Sequence, residues 1–296
     1  MRPHDSGSQE DRLREKIFRI RRLTAMPHVA WRLVEVLTDE NTTVKTLAEI
    51  IETDQALTSK VLSLANSAYY GFSESVTTIQ RAAVLIGFQE LQILALGTGL
   101  SENFNLRKTP ASFDGQALWL HCLAVSWLGR ALAEVAGYPT PAEVMVAGLL
   151  HDLGKLVLVT HLQAELPPLL ELLGQGVPYY QAEQRSGLSH TTIGMWLGRR
   201  WDLPPIHLET IEHHHQPRVE LPFFNCTCLV FLADRLAKQM RFGLVHQARP
   251  LAVGRLLDQL NLTPAVLKQV VQRARHEIPS HLEKMSFLLS KDQGHD

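Results

Sequence analysis

The stretch PAEVMVAGLLHDLGKLVLVTH, residues 141–161, decides how the rest of the chain is read. Tyr138-Pro139-Thr140-Pro141 breaks the chain just ahead of it. EVMVAGLL then runs as an apolar helix, and the polar cluster HDLGK (151–155) follows directly. LVLVT (156–160), taken alone, has the composition of a strand. We read it as the continuation of a buried helix, which makes the fold class all-α.

Helical periodicity supports that reading in both directions. In HVAWRLVEVL the residues Val29, Ala30, Leu33, Val34 and Leu37 form one stripe. Pro27 sits just ahead, where proline is tolerated at a helix start. Val44, Leu47, Ile50 and Ile51 repeat the pattern, as do Leu57, Val61, Leu64 and Ala65. Asp54 stands where a carboxylate caps the second of these helices. A turn at Tyr70, Gly71 and Phe72 leads to TTIQRAAVLIG and FQELQILALGTGL. Asn66 and Ser67, followed by Tyr69 and Tyr70, read as a helix end with local capping rather than a ligand-recognition turn. RKTPASFDG (107–115) is the linker candidate. Beyond it a long helix is expected from Gln116 to Ala136. Shorter ones follow near 165–175, 178–186, 190–201, 205–214 and 222–241. Thr263 and Pro264 form an N-cap and first-turn pair before a last helix. The expected organisation is a two-lobed helical protein. A disordered tail occupies 1–14, an N-terminal helical bundle lobe 15–106, a linker 107–115, a second helical lobe 116–245, and C-terminal helices and tail 246–296.

Of the 296 residues, 45% are apolar and 20% charged, enough for a sizeable core. A formal net charge of -1 gives no broad footprint for nucleic acid, which is disfavoured as a partner. The basic stretch Arg12 to Arg22 reads as a solvated helix face. No apolar run reaches the length of a bilayer span, and the first residues lack a signal core. Cys122, Cys226 and Cys228 follow no disulfide or zinc spacing and are read as buried small hydrophobes in a reducing cytoplasm. Trp196 and Trp201 are expected in the core. The text holds no phosphate-binding glycine loop, nucleophile elbow or basic helix-turn-helix.

The chemistry-bearing residues are histidines and aspartates. More than half of the fourteen histidines fall between His121 and His215. His121, His151-Asp152, His190, the run His213-His214-His215 and Asp234 stand out. Imidazole and carboxylate together suit Fe, Mn, Zn or Ni. A carboxylate beside a histidine can bridge two ions, and two ions so held can clamp a phosphate. Singly, each residue has a plain structural explanation: a packed core histidine at 121, a helix-start residue at 190, a polar helix end at 213–215. Their combination is what points to a divalent transition-metal site of one or two ions.

In that order, His121, then HDLGK, then His190, His214-His215 and Asp234, the chain resembles the HD superfamily, and in particular the branch of HD-GYP cyclic di-GMP phosphodiesterases. The intervening text GLSHTTIGMWLGRRWDLPPIHLETIEHHHQP (187–217) resembles the HDOD family, the HD-related output domain. DQALTSKVLSLANSAYYG (54–71) and TTIQRAAVLIGFQELQILAL (77–96) look like that family's N-terminal helices. The resemblance extends over roughly residues 17 to 245 and makes the second lobe HD-like. It implies that His121, His151, Asp152 and Asp234 form the basic metal site, with His190, His214 and His215 as added ligands and Asp152 bridging. Lys155 matches the lysine that approaches substrate phosphate in active relatives, so Asp152 and Lys155 are the catalytic candidates if the site turns over. His213 has no matched role.

Two departures separate this chain from the HD-GYP branch. Ala117 stands where that branch has a glutamate one turn before its first histidine. Gln216-Pro217-Arg218-Val219 stands where it has its glycine-rich signature. The expectation is therefore a bacterial signalling module that binds a partner protein or a small ligand such as a nucleotide, with a metal site and little or no catalysis. The alternative is an active metal-dependent phosphohydrolase acting on a nucleotide or cyclic dinucleotide.

Overall fold

The structure is a computed structural model that describes residues 9–23, 25–37, 39, 41–67, 70, 75–101, 104, 106, 109–110, 113–242 and 254–291. Among these residues there is no strand. The first helices are α1 (Gln9–Arg19), α2 (His28–Leu37), α3 (Val44–Ile51), α4 (Gln55–Ala65), α5 (Ile79–Ile86) and α6 (Phe88–Ser101). The middle of the chain forms α7 (Gly115–Val135), α8 (Pro141–Leu150), α9 (Leu153–His161), α10 (Pro167–Gly174) and α11 (Tyr179–Ser186). The last are α12 (His190–Arg200), α13 (Pro205–His213), α14 (Phe224–Gln239), α15 (Gly254–Gln259) and α16 (Pro264–Lys291). LVLVT lies inside α9, as the surrounding helical pattern required.

Local chemistry sets the helix starts. Thr43, Asp54, Thr78, Asp114 and Ser189 each accept a hydrogen bond from the backbone N–H three residues on, satisfying a donor that the helix itself leaves open. Asn66 closes α4. Its Nδ2 donates to the carbonyls of Leu62 and Val76, and its Oδ1 accepts from the N–H of Val76. That supports the capping reading of this turn; Gly71 and Phe72 lie outside the described residues. Thr263 accepts from the Val266 N–H at the head of α16.

Helix α1 begins at Gln9, inside the stretch expected to be a disordered tail. The reason is the pair Leu13 and Ile17, one turn apart on a single face and both buried. Residues 1–8 lie outside the described set. The linker expected at 107–115 is no gap in the packing either. Leu106 just before it and Phe113 within it are buried in the same core as α2–α6 and the inner residues of α7–α9 and α12. Residues 107, 108, 111 and 112 of that stretch lie outside the described set. Trp201, buried at the end of α12, donates from Nε1 to the Leu23 carbonyl across this core. A second core joins the other faces of α7 and α8 to α14–α16. No helix among the described residues is long and apolar enough to cross a membrane.

Two close helix contacts aim the polar motif inward. A Cβ at Gly154 would lie 1.8 Å from the His190 carbonyl oxygen and 2.7 Å from the Gly194 nitrogen, so α9 and α12 touch backbone to backbone. A Cβ at Gly148 would lie 3.0 Å from the Ser126 Cα, which brings α8 close to α7 as well, though less tightly. The glycine of HDLGK is thus a packing residue, and it fixes Asp152 opposite His190.

Candidate metal centre

Six helices converge on one buried point. His121 comes from α7, His151 and Asp152 from the junction of α8 and α9, and His190 from the head of α12. His214 and His215 follow α13, and Asp234 lies on α14. All are buried except His215, which is half-buried. They form two groups of adjoining ligand atoms: Asp152, His190, His214 and His215, and His121, His151 and Asp234.

Asp152 faces both groups. Its Oδ1 is 3.4 Å from His190 Nε2 and 3.6 Å from His214 Nε2, while its Oδ2 is 3.3 Å from His151 Nε2. In the second group Asp234 Oδ1 is 2.9 Å from His121 Nε2 and 3.7 Å from His151 Nε2. The Nε2 atoms of His190 and His215 are 3.0 Å apart.

The far side of each ring explains why these nitrogens point inward. His121 Nδ1 lies 3.1 Å from the Phe242 carbonyl, and His151 Nδ1 lies 2.7 Å from the Gly148 carbonyl. His214 Nδ1 lies 3.2 Å and 3.1 Å from the carbonyls of Thr210 and Ile211. A carbonyl only accepts, so Nδ1 carries a proton in all three rings and Nε2 is the nitrogen that faces the centre, where a metal would take the place of any proton on it. For His190 the anchor is Glu183. Its Oε1 accepts from His190 Nδ1 at 2.6 Å and from the His190 backbone N–H at 2.9 Å. Histidine metal ligands are typically oriented by such a second hydrogen bond.

The electrostatics are those of a buried cluster. Burial pushes His121, His190, His214 and His215 below the usual histidine value and so keeps them neutral. Burial also lowers His151, but Asp152 and Asp234 outweigh it and hold that ring up to about 9. Burial raises Asp152 and Asp234. His151 and Lys155 outweigh it for Asp152, and Lys238 with His121 for Asp234, so both carboxyls stay well below the carboxylate range. Each aspartate thus gives one oxygen to a lysine: Lys155 Nζ is 2.7 Å from Asp152 Oδ2, and Lys238 Nζ is 2.6 Å from Asp234 Oδ2. Burial raises Glu183 to about 7, against the pull of Lys155.

Does this set fit a metal ion? Asp152 Oδ1 and His151 Nε2 are buried without a hydrogen-bond partner, an arrangement that is costly for polar atoms in a protein interior. A cation between them removes that cost. Five imidazoles and two carboxylates form a donor set suited to transition ions rather than to calcium or magnesium. The cluster is therefore able to hold a metal.

Every ligand expected from the sequence is brought together here. His213 is not: it points aside, half-buried, 3.9 Å from Glu212. Ala117 presents no carboxylate; its backbone N–H serves the cap at Asp114. Sequence reading missed Glu183, Lys238 and Tyr179, whose ring centroid lies 5.0 Å from Lys155 Nζ. Lys238 had a signal, an aspartate four residues before it on one helix. Glu183 and Tyr179 had none, since they lie on a separate helix whose text is ordinary.

An all-helical chain with a buried His/Asp centre built around an HD pair is an HD-type protein by architecture. The HDOD domain family matches residues 23–217, and the chain belongs to that family. It is similar to an HDOD domain protein of unknown function from Geobacter sulfurreducens, with 26% identity and a TM-score of 0.65 over 90% of this chain and 88% of that one. A protein from Marinobacter aquaeolei VT8, provisionally named for signal transduction, has the same fold at 19% identity and a TM-score of 0.73, over 90% of this chain and 59% of that one. An uncharacterised protein of Treponema pallidum (strain Nichols) is 26% identical over 200 residues, 66% of this chain. The chain spans 38% of that relative's length.

Proposed function

We propose that this chain is a regulatory HDOD module that carries a divalent transition-metal centre at its HD site, acts by binding a partner protein or small ligand, and has little or no turnover. The convergence of four Nε2 atoms on Asp152 and Asp234, each ring held by an acceptor behind it, supports the metal. The state of Lys155 supports the lack of turnover. This lysine is buried, is bonded to Asp152 and packs on Tyr179, so it is withdrawn from any incoming phosphate. The absence of a carboxylate at Ala117 points the same way.

A second reading, a metal-dependent phosphohydrolase acting on a nucleotide or cyclic dinucleotide, draws on the full ligand set. A metal at this site supplies Lewis acidity toward a phosphate oxygen. In that reading Asp152 bridges the two ligand groups and Lys155 turns from Asp152 to the phosphate. Assays of metal-loaded protein against cyclic di-GMP, cyclic AMP and a nucleotide panel separate the two. The module reading expects no turnover above background. Turnover abolished by both His151→Ala and Lys155→Ala would overturn it.

A further inference from the structure

A cleft of about 310 Å³ lies between the start of α6, the outer face of α7 and the middle of α16. None of the seven metal-type ligands lines it. Its floor is the Trp127 indole, with the Arg273 guanidinium 5.3 Å above the ring and the His281 ring 6.1 Å away. Arg130, one turn along α7 from Trp127, lines the same cleft.

The charges in this cleft are arranged in pairs. Arg130 donates from Nε to Glu134 at 3.0 Å and from Nη1 to Gln92 at 2.9 Å. Arg273 donates from Nε to both oxygens of Glu277 at 3.0 Å. His281 Nδ1 lies against a carboxylate oxygen of Glu90. The carboxylates therefore hold the Nε edges. Arg130 Nη2 and both Nη groups of Arg273 make no hydrogen bond among the described residues. Planar guanidinium edges with free N–H groups match a carboxylate. Because both arginines already have a carboxylate partner and Glu90 also lines the cleft, a ligand with several negative charges is disfavoured. The volume sits at the low end for ligand pockets and suits one ring system rather than a dinucleotide.

We infer that this cleft binds a small planar monocarboxylate, its ring at the edge of the Trp127 indole whose face Arg273 covers, and its carboxylate across the Nη groups of Arg130 and Arg273. The site combines α7 with a helix that lies beyond residue 217, where the family match ends.

Calorimetric titration of the full chain with indole-3-acetate and with benzoate tests it, with indole-3-acetamide as the uncharged control. Saturable binding of at least one acid is expected, with the amide weaker by about tenfold or more. Arg273→Gln, at an exposed side chain, is expected to weaken acid binding by a similar factor. Trp127→Phe keeps a ring in the core and is expected to weaken both acid and amide. Circular dichroism confirms that each variant is folded. No saturable binding of either acid at millimolar concentration overturns the inference, as does equal binding of acid and amide. Binding untouched by Arg273→Gln, or tighter binding of a nucleoside monophosphate than of either acid, overturns it too.

Discussion

Glu183 shows what a single residue contributes to the centre. It is not a ligand, yet it fixes both the ring and the backbone of His190. Glu183→Ala frees Nδ1, lets the ring change tautomer and is expected to weaken metal binding by about 10–100-fold. Glu183→Gln keeps an accepting oxygen and is expected to lose less. Chelator competition measures both, and equal affinity in wild type and Glu183→Ala would contradict the role. His207 is the opposite case, a buried ring whose two nitrogens have no hydrogen-bond partner among the described residues. Burial alone pushes it down to about 4. The unfolded chain takes up a proton at this residue near pH 6.5, and the folded protein only near 4. Stability from this source is therefore present above about pH 6.5 and falls as pH drops through that window, by roughly 3 kcal/mol in full. His207→Leu is expected to gain stability relative to wild type at pH 4 compared with pH 8, read by urea unfolding. An identical difference at both pH values would count against it.

At the scale of helices, the contact of α9 with α12 carries the site. Gly154→Ala places a methyl group 1.8 Å from the His190 carbonyl, where only backbone can give way. The helices must part, at an expected cost of about 3 kcal/mol or more, and the histidine at the contact moves with them. Gly148→Ala meets the α7 backbone at 3.0 Å and is expected to cost less, about 1–3 kcal/mol. Denaturant midpoints of the two variants test the order; a reversed order would show that the α9–α12 contact is not the tighter one. This scale also shows what the sequence could and could not reveal. The helices at 115–135, 190–200 and 224–239 were legible because their apolar stripes and caps are local signals. The order of His121, His151-Asp152, His190, His214-His215 and Asp234 was legible because metal-type side chains are rare enough to stand out. Glu183 was not, because an acceptor on α11 has meaning only once α12 is placed beside it. The glycine of HDLGK looked like part of a motif, and its packing role appeared only with the helix it touches.

Across the whole molecule, the lobes foreseen from sequence share their interior. The core of α2–α6 continues into α7–α9 and α12, and Trp201 reaches Leu23 through it. Such pairings join residues far apart in the chain and leave no trace in local pattern. The return of α16 onto α7 is of the same kind; it closes the second core and walls the cleft at Trp127. Helix α7 thus carries His121 toward the metal centre on one face and Trp127 toward the cleft on another. The central claim is that the His/Asp cluster holds divalent transition metal, and elemental analysis of purified full-length protein tests it most directly. The account predicts one or two tightly bound Fe, Mn, Zn or Ni ions per chain, lost in Asp152→Ala and retained in His213→Ala. Protein that stays metal-free after reconstitution with each of these ions, or that binds them equally well without Asp152, would contradict it.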